Sequence, residues 1–487
     1  MPRRRVSAFA LILALLLPLA LGAQQVKHII LFIGDGMHLE AEIGASRYLF
    51  GGDFALSFHK LPYQGVVATW DVTTYNKHAQ AAGKPLYNPS AIVPSLGYDP
   101  LRGGLLPFPL QSSGIDAAYL TAAATDSASA ATAWATGYKT DDGNISWLPG
   151  DPPGGAIATI AEILRRERGF SIGVASTVPF SHATPAAQVS HNTNRENYHA
   201  ISEEIVLRTQ PEVVIGGGYR SSTYVSDVAY KYLTANPDSP YVFVERQAGV
   251  DGGRSLMDAA ARAASQGKKL FGLYGDPARG NFESPVPRNS PGNPRIERGS
   301  IENPLLKDVV EAAVQVLGRN SKGFFVLFEQ GDIDWAAHAN DYQRIIGTVW
   351  DLHEAVQAAE AFVDRPGDDI DWSNTLLIVT ADHANSLLRL EKPLGKGQLP
   401  EQHGKQYPNG EVSFRTGSHT NELVRLYARG AGIEKFRKLE GAWYPCTRII
   451  DNTQLFHLMA EAAGAPQQPH LKVLPDKAAC AAAAASR

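Results

Sequence analysis

"VKHIILFIGDG", residues 26–36, sets the terms on which the rest of the chain is read. An unbroken apolar run cannot alternate between a core face and a solvent face, so it predicts a strand buried on both sides, the habit of a parallel sheet. It stops at Gly34, Asp35 and Gly36, residues that favour turns. The same grammar recurs in "FSIGVAS" (170–176), "PEVVIGGG" (211–218), "KLFGLYG" (269–275), "KGFFVLFEQGD" (322–332) and "NTLLIVTADHA" (374–384). Helical patterns lie between several of these runs. "YQRIIGTVWDLHEAVQAAEAFV" (342–363) spaces its apolar residues three and four apart and predicts one continuous helix. The expected fold is α/β: a three-layer sandwich with a largely parallel central sheet and helices on both faces.

The 487 residues are 44% hydrophobic and 19% charged, enough to bury a large core. With a net charge of −4 and no basic run beyond the N-terminus, nucleic-acid binding is not expected. "MPRRR" followed by "VSAFALILALLLPLALGAQQ" predicts a signal peptide over residues 1–23, cleaved after Gly22 or Ala23. An uncleaved membrane anchor is the alternative, since the run approaches spanning length. Pro18 and the small residues at 20–23 favour cleavage, hence a periplasmic or extracellular location without stable membrane insertion. Cys446 and Cys480 can pair in such an oxidising compartment. Residues 24–464 are expected to form a single catalytic domain and 465–487 a tail. Two stretches, 71–114 and 276–304, are rich in turn-forming residues, lack periodicity and are expected to be surface insertions. The alanine run at 481–485 is expected to fray.

Three of the predicted strands end in carboxylates: Asp35, Glu329 with Asp334, and Asp382 followed by His383. Ligands of open α/β sheets gather beyond the carboxyl ends of strands, so these groups can converge. In "DIDWAAH", Asp334 and His338 stand one helical turn apart, and "TGSHT" supplies His419 from a loop. Asp and His together suit zinc. Singly, each feature reads as a cap, a turn or a surface pair; it is their common position at strand ends that points to a metal site. "TDSASAATAWATG" (125–137) then puts Ser127 where a helix begins, among small residues that allow close packing. Its oxygen would sit at the positive end of the helix dipole, a place to hold phosphate. The alternative is that Asp126 or Ser127 is only an N-cap.

In order, "IGDGM", "TDSASAATAWATGYKT", "SHATPAA", "NR", "GGG", "EQGDIDWAAHAND", "TADHAN" and "GSHT" resemble the signature segments of alkaline phosphatases, from about residue 28 to 428. The resemblance implies hydrolysis of small-molecule phosphate monoesters through a phosphoserine, with two zinc ions and one magnesium ion. Carried over by motif, Asp334, His338 and His419 would hold one zinc. Asp35, Asp382 and His383 would hold the other, which also contacts the Ser127 oxygen. Thr184 and Glu329, with Asp35, would hold magnesium, and Arg195 of "HNTNRENY" would clamp the phosphate. Asp126 would orient rather than ligate. A homodimer is common in the family.

Two residues depart from the pattern. Trp335 follows Asp334 where many relatives carry Lys or His, and His182 stands where some carry Asp. The indole adds no positive charge, which predicts weaker phosphate binding; His182 implies altered loading of the third metal site. A phosphodiesterase or nucleotide pyrophosphatase of the wider superfamily is the rival enzyme, disfavoured by the presence of Arg195, Thr184 and Glu329 together. A sulfatase is disfavoured by the lack of a Cys-x-Pro-x-Arg type motif around Ser127. The rival from another class is a secreted phosphate- or metal-binding protein with a dead site, against which the full set of nucleophile and ligands argues.

Overall fold

The computed structural model describes residues 25–111 and 113–485, so the predicted signal segment lies outside the described residues. Its core is a ten-stranded sheet. The strands, in chain order, are β1 (His28–Gly34), β2 (Tyr63–Ala68), β3 (Ser171–Pro179), β4 (Val213–Gly217), β5 (Tyr241–Glu245), β6 (Lys269–Leu273), β7 (Phe324–Gln330), β8 (Thr375–Thr380), β9 (Val424–Gly430) and β10 (Ile449–Asp451). Their spatial order is β10-β2-β9-β8-β1-β7-β3-β4-β6-β5. Every pairing is parallel except those of β9, which runs against both neighbours. Every residue of β1, β7 and β8 is buried, as unbroken apolar runs require of central strands.

Two sets of helices cover the sheet. Those at Leu39–Phe50, Gly252–Gln266, Leu306–Leu317 and Tyr342–Val363 pack on one another; those at Ser127–Thr136, Ile160–Arg168, Ala183–Val189 and Thr453–Ala462 do likewise. Both sets reach the central strands, which makes the three layers. The helix predicted over 342–363 has those bounds, opened by Asp341 accepting from Arg344 N.

The register decides where chemistry can occur. Ile33 of β1 pairs with Thr380 of β8 and with Glu329 of β7, and Glu329 pairs with Ser176 of β3. Four adjacent strands therefore share one row, at which β8 ends and β1 and β7 have one residue left, while β3 runs on to Pro179. Asp35 and Asp382 each stand two residues beyond that row, and the loop before the reversed β9 brings residue 419 to the same edge.

The segments expected to lack periodicity carry structure. Residues 71–114 hold a helix at Val72–Ala81 and short turns of helix at Pro94–Gly97 and Pro100–Gly103. The first is poor in helix-forming residues and is started by Asp71, whose side chain accepts from Thr74 N. Residues 276–304 contain a hairpin, Val286–Arg288 against Arg295–Glu297. Arg246 anchors that segment through Glu283 at 2.8 Å and Glu302 at 2.9 Å. The alanine run expected to fray is helical, Ala478–Ala485, and is tied back by a disulfide between Cys446 and Cys480.

Candidate active site

Ser127 opens the helix Ser127–Thr136, all of whose residues are buried. Asp126 is its N-cap, accepting from Ser129 N at 2.9 Å, and Gly137 closes it in the left-handed conformation at φ 78°. The capping alternative is thus met, and the same Asp126 also pairs with Arg195. Alanines and small hydroxyl residues let this helix lie against those at Ala183–Val189 and Thr453–Ala462. Ser127 Oγ lies 3.2 Å from His383 Nε2, across 256 residues of chain.

Around that serine the predicted residues come together. His383 Nε2 is 3.1 Å from Asp382 Oδ2 and 3.5 Å from Asp35 Oδ1. His338 Nε2 is 3.2 Å from Asp334 Oδ2 and 3.1 Å from His419 Nε2, and His419 Nε2 is 3.3 Å from Asp334 Oδ1. Asp334 and His338 share the helix Asp332–His338, as their spacing predicts. Each outer imidazole is aimed by its other nitrogen, His338 Nδ1 on Gly417 O at 2.7 Å and His419 Nδ1 on Thr125 O at 2.9 Å. Such fixed tautomers are how ligating histidines are held. His383 stands between the two motif-based groups. His383 faces Asp334 and His419 as well as Asp35 and Asp382, its ring stacked on His419 at 3.6 Å.

Glu329 and Thr184 are fully buried beside this cluster, and Ser176 Oγ donates to Glu329 Oε2. Asp35 Oδ1, Asp382 Oδ2, Glu329 Oε1 and Thr184 Oγ1 are buried with no hydrogen-bond partner. Buried oxygens are almost always satisfied, so four orphans in one place, beside imidazoles, fit divalent cations. The electrostatics agree. Burial, then Asp382, Asp334 and Glu329, push the Asp35 carboxyl well above the usual range. Burial raises Glu329 to about 7. Burial pulls the His419 imidazole down, but Asp334 outweighs it and lifts it to about 9. These carboxylates repel one another unless positive charge joins them.

Arg195 approaches from the loop before Tyr198, its Nη1 3.0 Å from Asp126 Oδ2. Burial acts to raise Asp126, yet Arg195 and Ser129 hold it at about 2. His182 lies 3.4 Å from Arg195 Nη2, stacked parallel to Tyr198 at 6.1 Å and edge-on to Trp335 at 5.8 Å. Burial and Arg195 depress His182 to about 3, so it is neutral.

Two contributors escaped sequence reasoning. Asn385 donates to Asp334 Oδ1 at 2.6 Å, and Gly36 N donates to Asp382 Oδ1 at 2.9 Å. Gly36 has φ +66°, and a Cβ there would come 2.8 Å from Asp334 Oδ1. Nothing in the sequence around them points to the partners they serve, which lie 51 and 346 residues away.

The alkaline phosphatase family profile matches residues 112–398. Alkaline phosphatase of Escherichia coli (strain K12) is 31% identical, over 91% of this chain and 88% of its own length. Alkaline phosphatase of Thermus thermophilus shares the fold at a TM-score of 0.60 and 20% identity, covering 96% of this chain and all of that one. That of the Antarctic bacterium TAB5 does so at 0.59 and 22%, covering 92% and all. With the serine helix, the carboxylate and imidazole cluster and the arginine gathered at one sheet edge, the chain belongs to the alkaline phosphatase family of phosphomonoester hydrolases.

Proposed function

We propose that the enzyme hydrolyses small-molecule phosphate monoesters by double displacement at Ser127, with two zinc ions and one magnesium ion as cofactors. The observation that carries this reading is the convergence of Ser127 Oγ, His383 and the orphaned carboxylate oxygens at one edge of the sheet. Asp334, His338 and His419 would hold one zinc, Asp35, Asp382 and His383 the other, and Asp35, Thr184 and Glu329 the magnesium. When bound, such ions supply Lewis acidity that weakens the hold of Ser127 Oγ on its proton and steadies charge on the leaving oxygen.

The chain's own residues supply the rest. With those sites filled, Ser127 would need no carboxylate–imidazole pair as its base. Ser127 gives up its proton to solvent as its Oγ attacks phosphorus in line, the ester P–O bond breaks and the ester oxygen takes a proton from water to leave as the alcohol. A second water then bonds to phosphorus, the Oγ–P bond breaks, inorganic phosphate is released and Ser127 regains its proton. The planar guanidinium of Arg195 takes two non-bridging oxygens, and the N–H groups at the start of the serine helix face the same charge. Asp126 holds Arg195 in place through Oδ2. Export is part of the proposal: the N-terminal charge and apolar pattern and the Cys446–Cys480 bridge both suit an oxidising compartment. Among the described residues no helix is long and apolar enough to cross a membrane.

The test is turnover of an aryl phosphate at alkaline pH by wild type and Ser127→Ala, before and after chelation, with a bis-aryl phosphodiester alongside. Monoester turnover that collapses in both controls is expected. Preference for the diester would favour the nucleotide pyrophosphatase alternative, and absence of turnover with metals restored would sink the catalytic reading.

A further inference from the structure

Ser129 and Asp71 have no part in the mechanism above, yet both are buried beside it. Ser129 Oγ lies 2.6 Å from Asp126 Oδ1, 2.9 Å from Asp71 Oδ2 and 2.8 Å from Thr125 Oγ1. A serine hydroxyl carries a single proton. The shortest of these contacts, to the carboxylate that Arg195 engages, takes it. Asp71 Oδ2 then meets a Ser129 lone pair at 2.9 Å, which is a hydrogen bond only if the Asp71 carboxyl brings a proton of its own.

We propose that Asp71 is held as the neutral acid and heads a positioning relay. Asp71 Oδ2–H donates to Ser129 Oγ, Ser129 donates to Asp126 Oδ1, and Asp126 Oδ2 accepts from Arg195 Nη1. Nothing is transferred; the relay fixes the plane of the Asp126 carboxylate, and with it the guanidinium. Gly143 N, donating to Asp126 Oδ2 at 3.1 Å, clamps the other edge of the same carboxylate. The environment favours a proton at Asp71: burial, then Asp142, push it well above the usual carboxylate range. The other charged groups facing Asp71 are Asp142, which is exposed, and Lys139, already paired with Asp451 at 3.0 Å.

Oxygens of Asp71, Asp126 and Asp142 come within 4.8 Å of one another, which invites a cation instead. That alternative fares worse, because both oxygens of Asp71 and both of Asp126 already have partners inside the protein. No orphaned carboxylate oxygen is found here among the described residues, in contrast to the cluster beside Ser127.

The inference rests on Arg195 acting as the phosphate clamp, and the experiment separates the two. The inhibition constant of inorganic phosphate is measured on the metal-loaded enzyme for Arg195→Ala, Ser129→Ala, Asp71→Asn, Asp71→Ser and the double variant Asp71→Ser/Ser129→Ala. Arg195→Ala should weaken phosphate most. Ser129→Ala and Asp71→Ser should each weaken it about fivefold, the scale of one lost hydrogen bond. The double variant should be no worse than either single one, since both break the same chain. Asp71→Asn should stay within about twofold of wild type, its amide N–H replacing the acid proton. Serine still caps the helix Val72–Ala81, so an unchanged melting temperature in Asp71→Ser separates positioning from folding. Asp71→Asn as damaging as Asp71→Ser, additive losses in the double variant, or phosphate affinity that depends on added calcium and loses that dependence in Asp142→Asn would overturn the relay. Weakened Arg195→Ala beside unaffected Ser129→Ala would overturn the relay alone; unaltered Arg195→Ala would remove the clamp and the relay together.

Discussion

Trp335 and His182, the two residues that the sequence reading sets apart from the family pattern, meet edge-on, and His182 lies beside Arg195. One is an indole and the other an imidazole held neutral, so neither adds positive charge to the guanidinium. Trp335→Lys is therefore expected to tighten product inhibition by phosphate, on the order of fivefold for one added charge-assisted contact. An unchanged inhibition constant would contradict this. At Gly36, the left-handed backbone and the 2.8 Å approach to Asp334 leave no room for a methyl group. Gly36→Ala is expected to cost at least about tenfold in turnover, with reduced zinc content measured on the purified protein. Residue chemistry was legible where it was local. The Asp334–His338 spacing and the serine at a helix start could be read from the chain, whereas Gly36, Asn385 and Ser129 serve partners that only folding supplies.

Secondary structure was legible where burial on both faces leaves an unbroken apolar run, as in β1, β3, β4, β6, β7 and β8. The strand β9, "VRLYARG", carries Arg425 and Arg429 on its half-exposed face, and β10 is only three residues long; neither announces itself by composition. The helix Val72–Ala81 was missed because its stability comes from the Asp71 cap and tertiary packing rather than from propensity. Two tests belong to this scale. Replacing Cys446 and Cys480 by serine opens a loop of sequence separation 34 and should cost about 4 kcal/mol at most, while aryl phosphate turnover persists. His191 bridges Glu204 at 3.0 Å and Glu162 at 3.5 Å; burial lowers its pKa, but the two glutamates lift it to about 10. Its folded pKa exceeds its unfolded one, so its stabilisation is complete below about pH 6.5 and vanishes as pH rises through 10. The melting-temperature gap between wild type and His191→Gln should be wide at pH 6 and narrow at pH 10.5.

At the scale of the molecule, the sheet gathers like charges that it cannot itself neutralise. Asp35, Asp382 and Glu329 are buried together at the ends of β1, β8 and β7. Chelation is expected to lower the melting temperature and added zinc to restore it, because an ion that binds only the folded state stabilises it. Glu329, raised to about 7, must release its proton to join an ion. Metal content after dialysis should accordingly fall as pH drops below about 7 and rise above it; a flat profile would contradict the shared role of these groups. The strand order also has a bearing on time. β1, first of the ten, is completed by β8 at one side and β7 at the other, and the candidate ligands run from residue 35 to residue 419. A growing chain can pair its earliest strand on one side only once residue 330 has been made and on the other only once residue 380 has, so its folding depends on distant contacts, the kind that slow folding. Until then the first strand of an emerging polypeptide has no sheet to join, which would leave it open enough to thread through a narrow channel, and the cations of the proposed site would be the last parts to arrive.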